Sequence, residues 1–223
     1  MPAPKTLAIL HTSLALVEPL GALARQRLKG TRIVNVVDDS LIGYAMNQGV
    51  DEALRRRIRH YCLSAVEAGA DVILSACSSV GEAIEAARPA VPVPMLRIDE
   101  PMAEKAVALG RRIGVFATAA STFGPTTRLL HAKASAAGRT IETTEQFCTD
   151  GFELLLAGKT AEHDRRVTET VIAAAKEFDV VLFAQASMSR LAPAIAAKID
   201  RPLLTSPEFA MDRLKSMLGV AHD

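Results

Sequence analysis

The chain carries the stretch Asp71-Val72-Ile73-Leu74-Ser75-Ala76-Cys77 in its first half and the stretch Asp179-Val180-Val181-Leu182-Phe183-Ala184-Gln185 in its second. Each copy consists of an acidic residue, a short apolar run rich in Val, Ile and Leu, and the start of a small, polar loop. This pattern is typical of a buried strand of a parallel sheet that ends in a loop. The copies differ at one informative position, because Cys77 stands where the second copy has Gln185.

The repeat extends over most of the chain. Pro94-Met95-Leu96 corresponds to Pro202-Leu203-Leu204 at the same offset that separates Cys77 from Gln185. Thr6–His11 resembles Ile113–Thr118 at an offset one residue shorter. In both halves, predicted strands alternate with helical patterns, which indicates right-handed βαβ crossovers and a parallel sheet. We therefore expect an α/β fold of two pseudo-symmetric Rossmann-like domains, each a parallel sheet flanked by helices.

The join between the halves is marked by Asp99-Glu100-Pro101, where an acidic capping candidate precedes a proline suited to the first helical turn. The last predicted strand ends near Thr205, and the tail at about 208–219 is expected to return as a helix to the first domain. The predicted domains are residues 1–97 plus 207–223, which carry Cys77, and residues 98–206, which carry Gln185.

Composition excludes several classes of function. Lys plus Arg number 26 against 25 for Asp plus Glu, and the resulting net charge of +1 gives no electrostatic basis for binding nucleic acid or an anionic membrane. The one basic run, Arg55-Arg56-Arg57, lies in a helical pattern and is predicted to be a solvated helix face. Met1–Thr12 lacks the features of a secretory signal, and no apolar stretch approaches the ~20 residues of a membrane span, so we expect a cytoplasmic protein.

Motifs for cofactors and metals are missing from the sequence. Neither GxGxxG nor GxxxxGK[ST] follows a strand, and neither HExxH nor GxSxG occurs. The three cysteines, at positions 62, 77 and 148, have no CxxC spacing, so neither a disulfide framework nor a structural zinc site is expected. We expect a protein that needs no cofactor and no metal.

Polar residues follow the predicted strands directly. In open parallel sheets the carboxyl ends of the strands collect the ligand, because the loops there vary freely and helix N-termini point their amides outward. If the two halves face each other, these loops converge on an interdomain cleft that holds the active site. The candidate substrate-binding residues are His11, Thr12, Asp38, Tyr44, Ser78, Ser79, Thr118 and Ser187.

Each candidate also has a plain structural interpretation. His11 can be a satisfied polar residue at a strand end, and Asp38 can cap the segment that follows it. Tyr44 can be a partly buried aromatic instead of a cleft residue. His163-Asp164 resembles part of a catalytic dyad or zinc site, but its place at a predicted helix start favours a surface role.

The three cysteines have different settings. Cys77 can be a buried structural thiol, but a cysteine at a strand end followed by Ser78-Ser79 lies near unpaired amides, which favour the nucleophilic thiolate. Cys62 lies on the apolar side of a predicted helix and is expected to be a packing residue. Cys148 follows a strand predicted at 140–144, where a core or loop role is favoured over catalysis.

Two segments carry a resemblance to a known family. Ser75-Ala76-Cys77-Ser78-Ser79 and Ala184-Gln185-Ala186-Ser187-Met188, in duplicated α/β halves, resemble the aspartate/glutamate racemase superfamily, which includes hydantoin racemase, maleate isomerase and arylmalonate decarboxylase. In racemases of this family, two cysteines face each other across the α-carbon of the substrate and exchange its proton without a cofactor. The resemblance implies that Cys77 is the first of these residues and that Gln185 occupies the position of the second.

The replacement of the second cysteine changes the expected chemistry. A primary amide has no proton to exchange near neutral pH, so a symmetrical two-thiol racemisation fails here. The closest internal substitutes are Cys148 or a water reached through Ser187. In the maleate isomerase branch, as the resemblance implies, the first cysteine is a nucleophile that attacks a double bond, and Cys77 can perform that step alone.

The sequence therefore predicts a cofactor-independent racemase or isomerase that acts on a small carboxylate through Cys77, with Gln185 orienting or polarising a carbonyl. Two alternatives stay open: a lyase or hydrolase that uses the thiolate once per turnover, and a two-lobed carboxylate-binding protein without catalysis. The resemblance also implies a homo-oligomer.

Overall fold

The computed structural model describes residues 4–220 and contains two four-stranded parallel sheets. By its contacts the chain separates into two compact units. Unit 1 comprises the described residues 4–98 and 207–220, and unit 2 comprises residues 99–206. The α/β architecture expected from the sequence is confirmed, with helices flanking each parallel sheet.

Unit 1 is built on the sheet order β2-β1-β3-β4. Its elements are β1 (Thr6–His11), α1 (Val17–Arg27), β2 (Arg32–Val37), α2 (Ser40–Gln48), α3 (Glu52–Glu67), β3 (Val72–Ser75), α4 (Gly81–Ala87), β4 (Met95–Arg97) and α10 (Ser206–Leu218). Every residue of β1 and β3 is buried, as expected for central strands covered on both faces. The edge strand β2 is partly exposed along its length.

The core on one face of this sheet is formed by apolar side chains that recur at helical spacing. In α3 the buried residues Leu54, Ile58, Cys62 and Ala65 lie on one stripe and pack against Ala8 of β1. The helix begins with Asp51, whose side chain accepts a hydrogen bond from the Leu54 backbone at 2.9 Å. Cys62 is thus a packing residue, as the sequence predicts.

The C-terminal helix α10 belongs to unit 1. It buries Met211 and Leu214, and its Glu208 forms an ion pair with Arg27 at the end of α1. This pair holds the last helix of the chain beside the first.

Unit 2 repeats the architecture with the sheet order β6-β5-β7-β8. Its elements are α5 (Glu100–Leu109), β5 (Arg112–Ala117), α6 (Phe123–Ala136), β6 (Glu142–Phe147), α7 (Gly151–Leu156), α8 (Thr160–Ala174), β7 (Val180–Phe183), α9 (Ala192–Ala196) and β8 (Leu203–Leu204). Gly114 lies in β5 directly beneath the Phe178 ring, where a Cβ atom would overlap that ring. The close approach lets Phe178 stack edge-on against Phe116 at a centroid distance of 6.0 Å.

The acidic residue that opens each repeated stretch has the same structural role in both units. The Asp71 carboxylate accepts a hydrogen bond from the Thr6 backbone N–H at 2.8 Å. The Asp179 carboxylate accepts from the backbone N–H groups of Arg111 and Arg112 at 3.0 and 2.9 Å. Each aspartate therefore ties the start of one central strand to the start of its neighbour.

No helix within residues 4–220 is long and apolar enough to cross a membrane.

Candidate functional site

The candidate residues of unit 1 lie at the carboxyl edge of its sheet. β1 has β2 on one side and β3 on the other, so the β1–β2 connection and the β2–β3 crossover run in opposite directions across the sheet and create a switch point between β1 and β3. Ligands of open α/β sheets bind at such points. Cys77 follows β3 at this switch point, His11 is the last residue of β1, and Thr12 comes directly after it.

Cys77 lies in extended backbone, and a short 3₁₀ turn, Ser78–Val80, follows it and leads into α4. Its side chain is partly exposed and packs against the unit 1 core only in part. Ser78 and Ser79 are both buried, and the Ser79 hydroxyl has no hydrogen-bond partner within the described chain. The thiol therefore lies two residues before a buried hydroxyl that has no hydrogen-bond partner among the described residues.

The other two thiols are withdrawn from solvent. Cys62 is 1% exposed, and burial raises the pKa of its thiol to about 12. Cys148 is fully buried, and burial raises its pKa to about 11, although a hydrogen bond with Thr170 opposes the increase. Cys148 packs with Phe116 and Val167 in the core of unit 2. This burial argues against Cys148 as the substitute proton carrier considered in the sequence analysis.

Arg97 and Gly81 form a close contact next to the Cys77 loop. Arg97 in β4 is 4% exposed and is paired in register with Ser75, two residues before Cys77. A Cβ atom added to Gly81, the first residue of α4, would overlap the Arg97 guanidinium. An alanine at this helix start would therefore have to displace the Arg97 guanidinium, next to the turn that carries Ser78 and Ser79.

His11 is fully buried at the end of β1. Its Nε2 atom lies 3.0 Å from the Asn35 side-chain oxygen, which makes Nε2 the protonated nitrogen. Its Nδ1 atom is then an acceptor, and no donor among residues 4–220 reaches it. Burial lowers the pKa of the imidazole below its ordinary value, although the hydrogen bond to Asn35 opposes this effect. Burial thus favours the neutral form of His11. Thr12, also buried, follows it.

Asp38, which follows β2, is held by several donors. Its carboxylate accepts hydrogen bonds from the Ser40 hydroxyl, the Arg57 guanidinium and the Tyr61 hydroxyl, all at 2.6 Å. Partial burial raises its pKa, but these hydrogen bonds outweigh that effect and lower the pKa from 3.8 to about 2. Arg55 and Arg56 are exposed as predicted, whereas Arg57 is half-buried and pairs with Asp38.

Tyr44 lies in α2, a helix that the sequence analysis missed. Its hydroxyl donates to the Asp51 carboxylate at 2.7 Å, at the start of α3. Asp38 and Tyr44 are therefore both engaged in contacts that join α2, α3 and the end of β2.

Unit 2 brings two predicted site residues into direct contact at its own switch point, between β5 and β7. The Gln185 side-chain oxygen accepts from the backbone N–H groups of Thr118 and Ala119 at 2.7 and 3.0 Å, and from the Thr118 hydroxyl at 3.2 Å. Thr118 is buried, and Gly151 supports it, since a Cβ atom there would lie 2.6 Å from the Thr118 methyl carbon. Ser187 lies half-buried in the 3₁₀ segment Ala186–Leu191 that follows Gln185.

A second polar cluster holds the segment after Gln185. The Asp164 carboxylate forms an ion pair with Arg190, and its oxygen lies 2.8 Å from His163 Nδ1. The predicted surface role of His163 is wrong, because its ring is only 1% exposed. The pKa of Asp164 is lowered chiefly by the hydrogen bonds from Arg190. The cluster therefore anchors α8 to the end of the Gln185 loop.

Among residues 4–220, no three His, Cys, Asp or Glu side chains are grouped in a way that could hold a metal ion.

The sequence matches the model of the Asp/Glu/hydantoin racemase family over residues 8–214. The chain belongs to this family. Comparison with curated protein sequences finds no significant match. Membership supports a racemase-type enzyme and a small carboxylate as its substrate.

Solved structures show the same fold. Allantoin racemase from Klebsiella pneumoniae is similar at 20% identity and a TM-score of 0.73, over 97% of this chain and 88% of that one. The glutamate racemase from Francisella tularensis in complex with D-glutamate is similar at 15% identity and 0.73, over 97% and 82%. Picrophilus torridus aspartate racemase is similar at 15% identity and 0.70, over 96% and 94%.

Proposed function

We propose that this family member is a cofactor-independent isomerase that acts on a small carboxylate through a single thiolate, Cys77. Family membership supports a racemase-type reaction, and the carboxylate substrate is part of this proposal. The observation that carries the single-thiol mechanism is the setting of the three cysteines, of which Cys77 alone within residues 4–220 is partly exposed. It also stands at the carboxyl end of a central strand, beside the unpartnered hydroxyl of Ser79.

The Cys77 thiolate supports two chemical steps. As a base it accepts the proton from the carbon next to the carboxylate, and the electron pair moves into the carboxylate as an enolate. As a nucleophile it adds to a double bond conjugated with the carboxylate, and a bond rotation and elimination of the thiolate then give the isomer. In both steps negative charge develops on the substrate oxygens, so nearby hydrogen-bond donors stabilise it.

The binding roles follow from where each donor lies. Ser78 and Ser79 adjoin Cys77 and are proposed to bind carboxylate oxygens, with Thr12 and His11 lining the same edge of the sheet. Ser187 is proposed to bind the substrate from the loop of Gln185. Thr118 is proposed to act through Gln185, because its N–H and hydroxyl both donate to that side chain. Gln185 is included in this proposal because of the resemblance of its segment to that of the second cysteine in racemases.

Gln185 distinguishes this reaction from a two-base racemisation. An amide neither accepts nor releases a proton near neutral pH, so inversion requires that water protonate the enolate on the face opposite to Cys77, because return of the proton from the same thiol regenerates the starting isomer. The lack of a second acid or base at position 185 also supports an alternative function, in which the thiolate acts once per turnover in a lyase or hydrolase reaction. The reaction products separate the two, because a lyase or hydrolase releases carbon dioxide or ammonia, whereas an isomerase preserves the mass of its substrate.

The test is incubation of the protein in D₂O with amino acids, hydantoins, arylmalonates and maleate, followed by mass spectrometry and chiral chromatography. We expect at least one compound to isomerise or to exchange its α-proton, and we expect the Cys77→Ala variant to lose that turnover. Cys62→Ala is the matched control, because Cys62 is buried in the core, and it should retain turnover while folded. No turnover of any compound would favour a carboxylate-binding protein instead.

Two further expectations from the sequence remain predictions. Assembly as a homo-oligomer is tested by light scattering on the purified chain. A cytoplasmic location is tested by cell fractionation.

A further inference from the structure

We propose that Gln185 is the internal occupant of an oxygen-binding pocket in unit 2, and that it converts this strand end into a neutral hydrogen-bond donor selective for a substrate oxygen. The pocket consists of the backbone N–H groups of Thr118 and Ala119 and the Thr118 hydroxyl. The first half of the proposal stands on geometry alone. The second half, which concerns the substrate, rests on the proposed function.

Three donors converge on a single oxygen atom. The Gln185 Oε1 atom lies 2.7 Å from Thr118 N, 3.0 Å from Ala119 N and 3.2 Å from Thr118 Oγ1. Consecutive backbone N–H groups that point at one oxygen form the type of concave site that proteins use to bind anions. The site therefore has the donors for a carboxylate or enolate oxygen, and in this chain its own glutamine fills it.

The same contacts fix which way the amide faces. The Thr118 and Ala119 N–H groups can only donate, so the atom that they approach must be the amide oxygen and not the amide nitrogen. The Gln185 NH₂ group consequently points away from the pocket. Gln185 is half-buried.

Side-chain length explains why a glutamine does this and a cysteine does not. The glutamine oxygen is three bonds beyond Cβ, whereas a cysteine sulfur is bonded to Cβ directly and would stop short of the two amides. A cysteine at position 185 would leave the pocket open to an outside oxygen. Compared with a cysteine at this position, Gln185 supplies no thiol and also fills the oxygen-binding pocket of unit 2.

The outward NH₂ group determines which substrate atom can meet unit 2. It offers N–H donors and no lone pair, so it binds a carbonyl or carboxylate oxygen and gives nothing to an ammonium group. The nearby Arg190 is paired with Asp164 and adds no free cation at this loop. We therefore assign Gln185 the selection of a substrate oxygen, as a neutral hydrogen-bond donor and not as an acid or base.

Sodium acetate tests the pocket without any need for catalysis. In Gln185→Ala the oxygen is gone, and we expect acetate to shift the backbone amide resonances of Thr118 and Ala119 saturably, with at least about tenfold tighter binding than in the wild type. In Gln185→Glu, a carboxylate oxygen still fills the pocket, so acetate should leave both resonances unchanged. Sodium chloride at the same ionic strength is the reference for non-specific anion effects.

Equal acetate responses in Gln185→Ala and Gln185→Glu would overturn the proposal. Hydrogen exchange on the wild-type chain provides an independent check if Gln185→Ala fails to fold: the Thr118 and Ala119 amides should exchange slowly, and exchange at the rate of an unprotected amide would also overturn it. These outcomes do not depend on turnover, so the pocket can stand if Cys77 proves inactive, and it can fail while Cys77 is confirmed.

Discussion

The strand ends at Cys77 and at Gln185 occupy equivalent places in the two units, but they differ in what they leave available. In unit 1 the residue after β3 is a partly exposed thiol beside a serine hydroxyl that has no partner within the described chain. In unit 2 the residue after β7 is an amide whose oxygen already accepts three hydrogen bonds. The first copy of the repeat therefore carries a thiol that can react, whereas the second carries an amide that is fixed in place and can donate a hydrogen bond.

The largest contrast is expected in thiol reactivity. Iodoacetamide should modify the folded protein once, at Cys77, because Cys62 and Cys148 are buried and their pKa values are raised to about 12 and about 11. Intact-mass spectrometry with peptide mapping counts and locates the adducts. Cys77→Ala should gain none until it is unfolded, and an adduct on the folded variant would show that a second thiol is accessible.

The contact between Gly81 and Arg97, next to the Cys77 loop, can be disrupted without changing Cys77 itself. Gly81→Ala places a methyl group against the Arg97 guanidinium and should lower the free energy of unfolding by about 1–3 kcal/mol. Gly43→Ala, in α2, is the matched control: a Cβ atom there meets nothing within 4 Å, so the change should stabilise the protein by up to about 1 kcal/mol. Urea unfolding measures both. Equal effects would show that Arg97 does not constrain the loop.

The smallest effect concerns Asp38, which closes the end of the neighbouring strand. Because the pKa of this carboxyl is about 2 in the folded chain and 3.8 ordinarily, its contribution is complete above about pH 4 and disappears as the pH falls towards 2. Wild type should therefore lose about 1 kcal/mol more stability over this interval than Asp38→Asn. Urea unfolding at a series of pH values measures the difference.

Asp39→Asn is the control for that pH series, because Asp39 makes no capping hydrogen bond with its side chain. Its stability should fall with pH in parallel with the wild type. A parallel fall in Asp38→Asn as well would show that the contacts from Arg57 and Tyr61 do not stabilise the charged carboxyl.

The sequence predicted most of the sheet, because central strands are continuous apolar runs. β3 and β7 lie at Val72–Ser75 and Val180–Phe183, inside the repeated stretches 71–77 and 179–185 that predicted them. The edge strand β6 was predicted at 140–144 but lies at Glu142–Phe147, since an exposed edge of polar residues carries no apolar run. The short helix α2 was missed for a related reason: Gly43 and a single fully buried residue, Leu41, give it little helical pattern.

The site was predictable in its residue types but not in its contacts. The repeat placed Cys77 and Gln185 at equivalent strand ends, and their chemistry follows from their side chains. That Gln185 turns its oxygen onto Thr118 and Ala119 depends on the separation of β5 and β7, which only the fold sets. The pairing of Asp38 with Arg57 likewise depends on the packing of α3 beside the end of β2.

The most direct measurement compares the turnover of the wild type, Cys77→Ala and Gln185→Ala on the same carboxylate substrate. If one thiol performs the proton transfer or addition, Cys77→Ala should lose at least about a thousandfold in kcat/KM, whereas Gln185→Ala should lose about ten- to a hundredfold through one missing hydrogen bond. Wild-type turnover in Cys77→Ala, or an equally complete loss in both variants, would contradict the assignment of the chemistry to Cys77 alone.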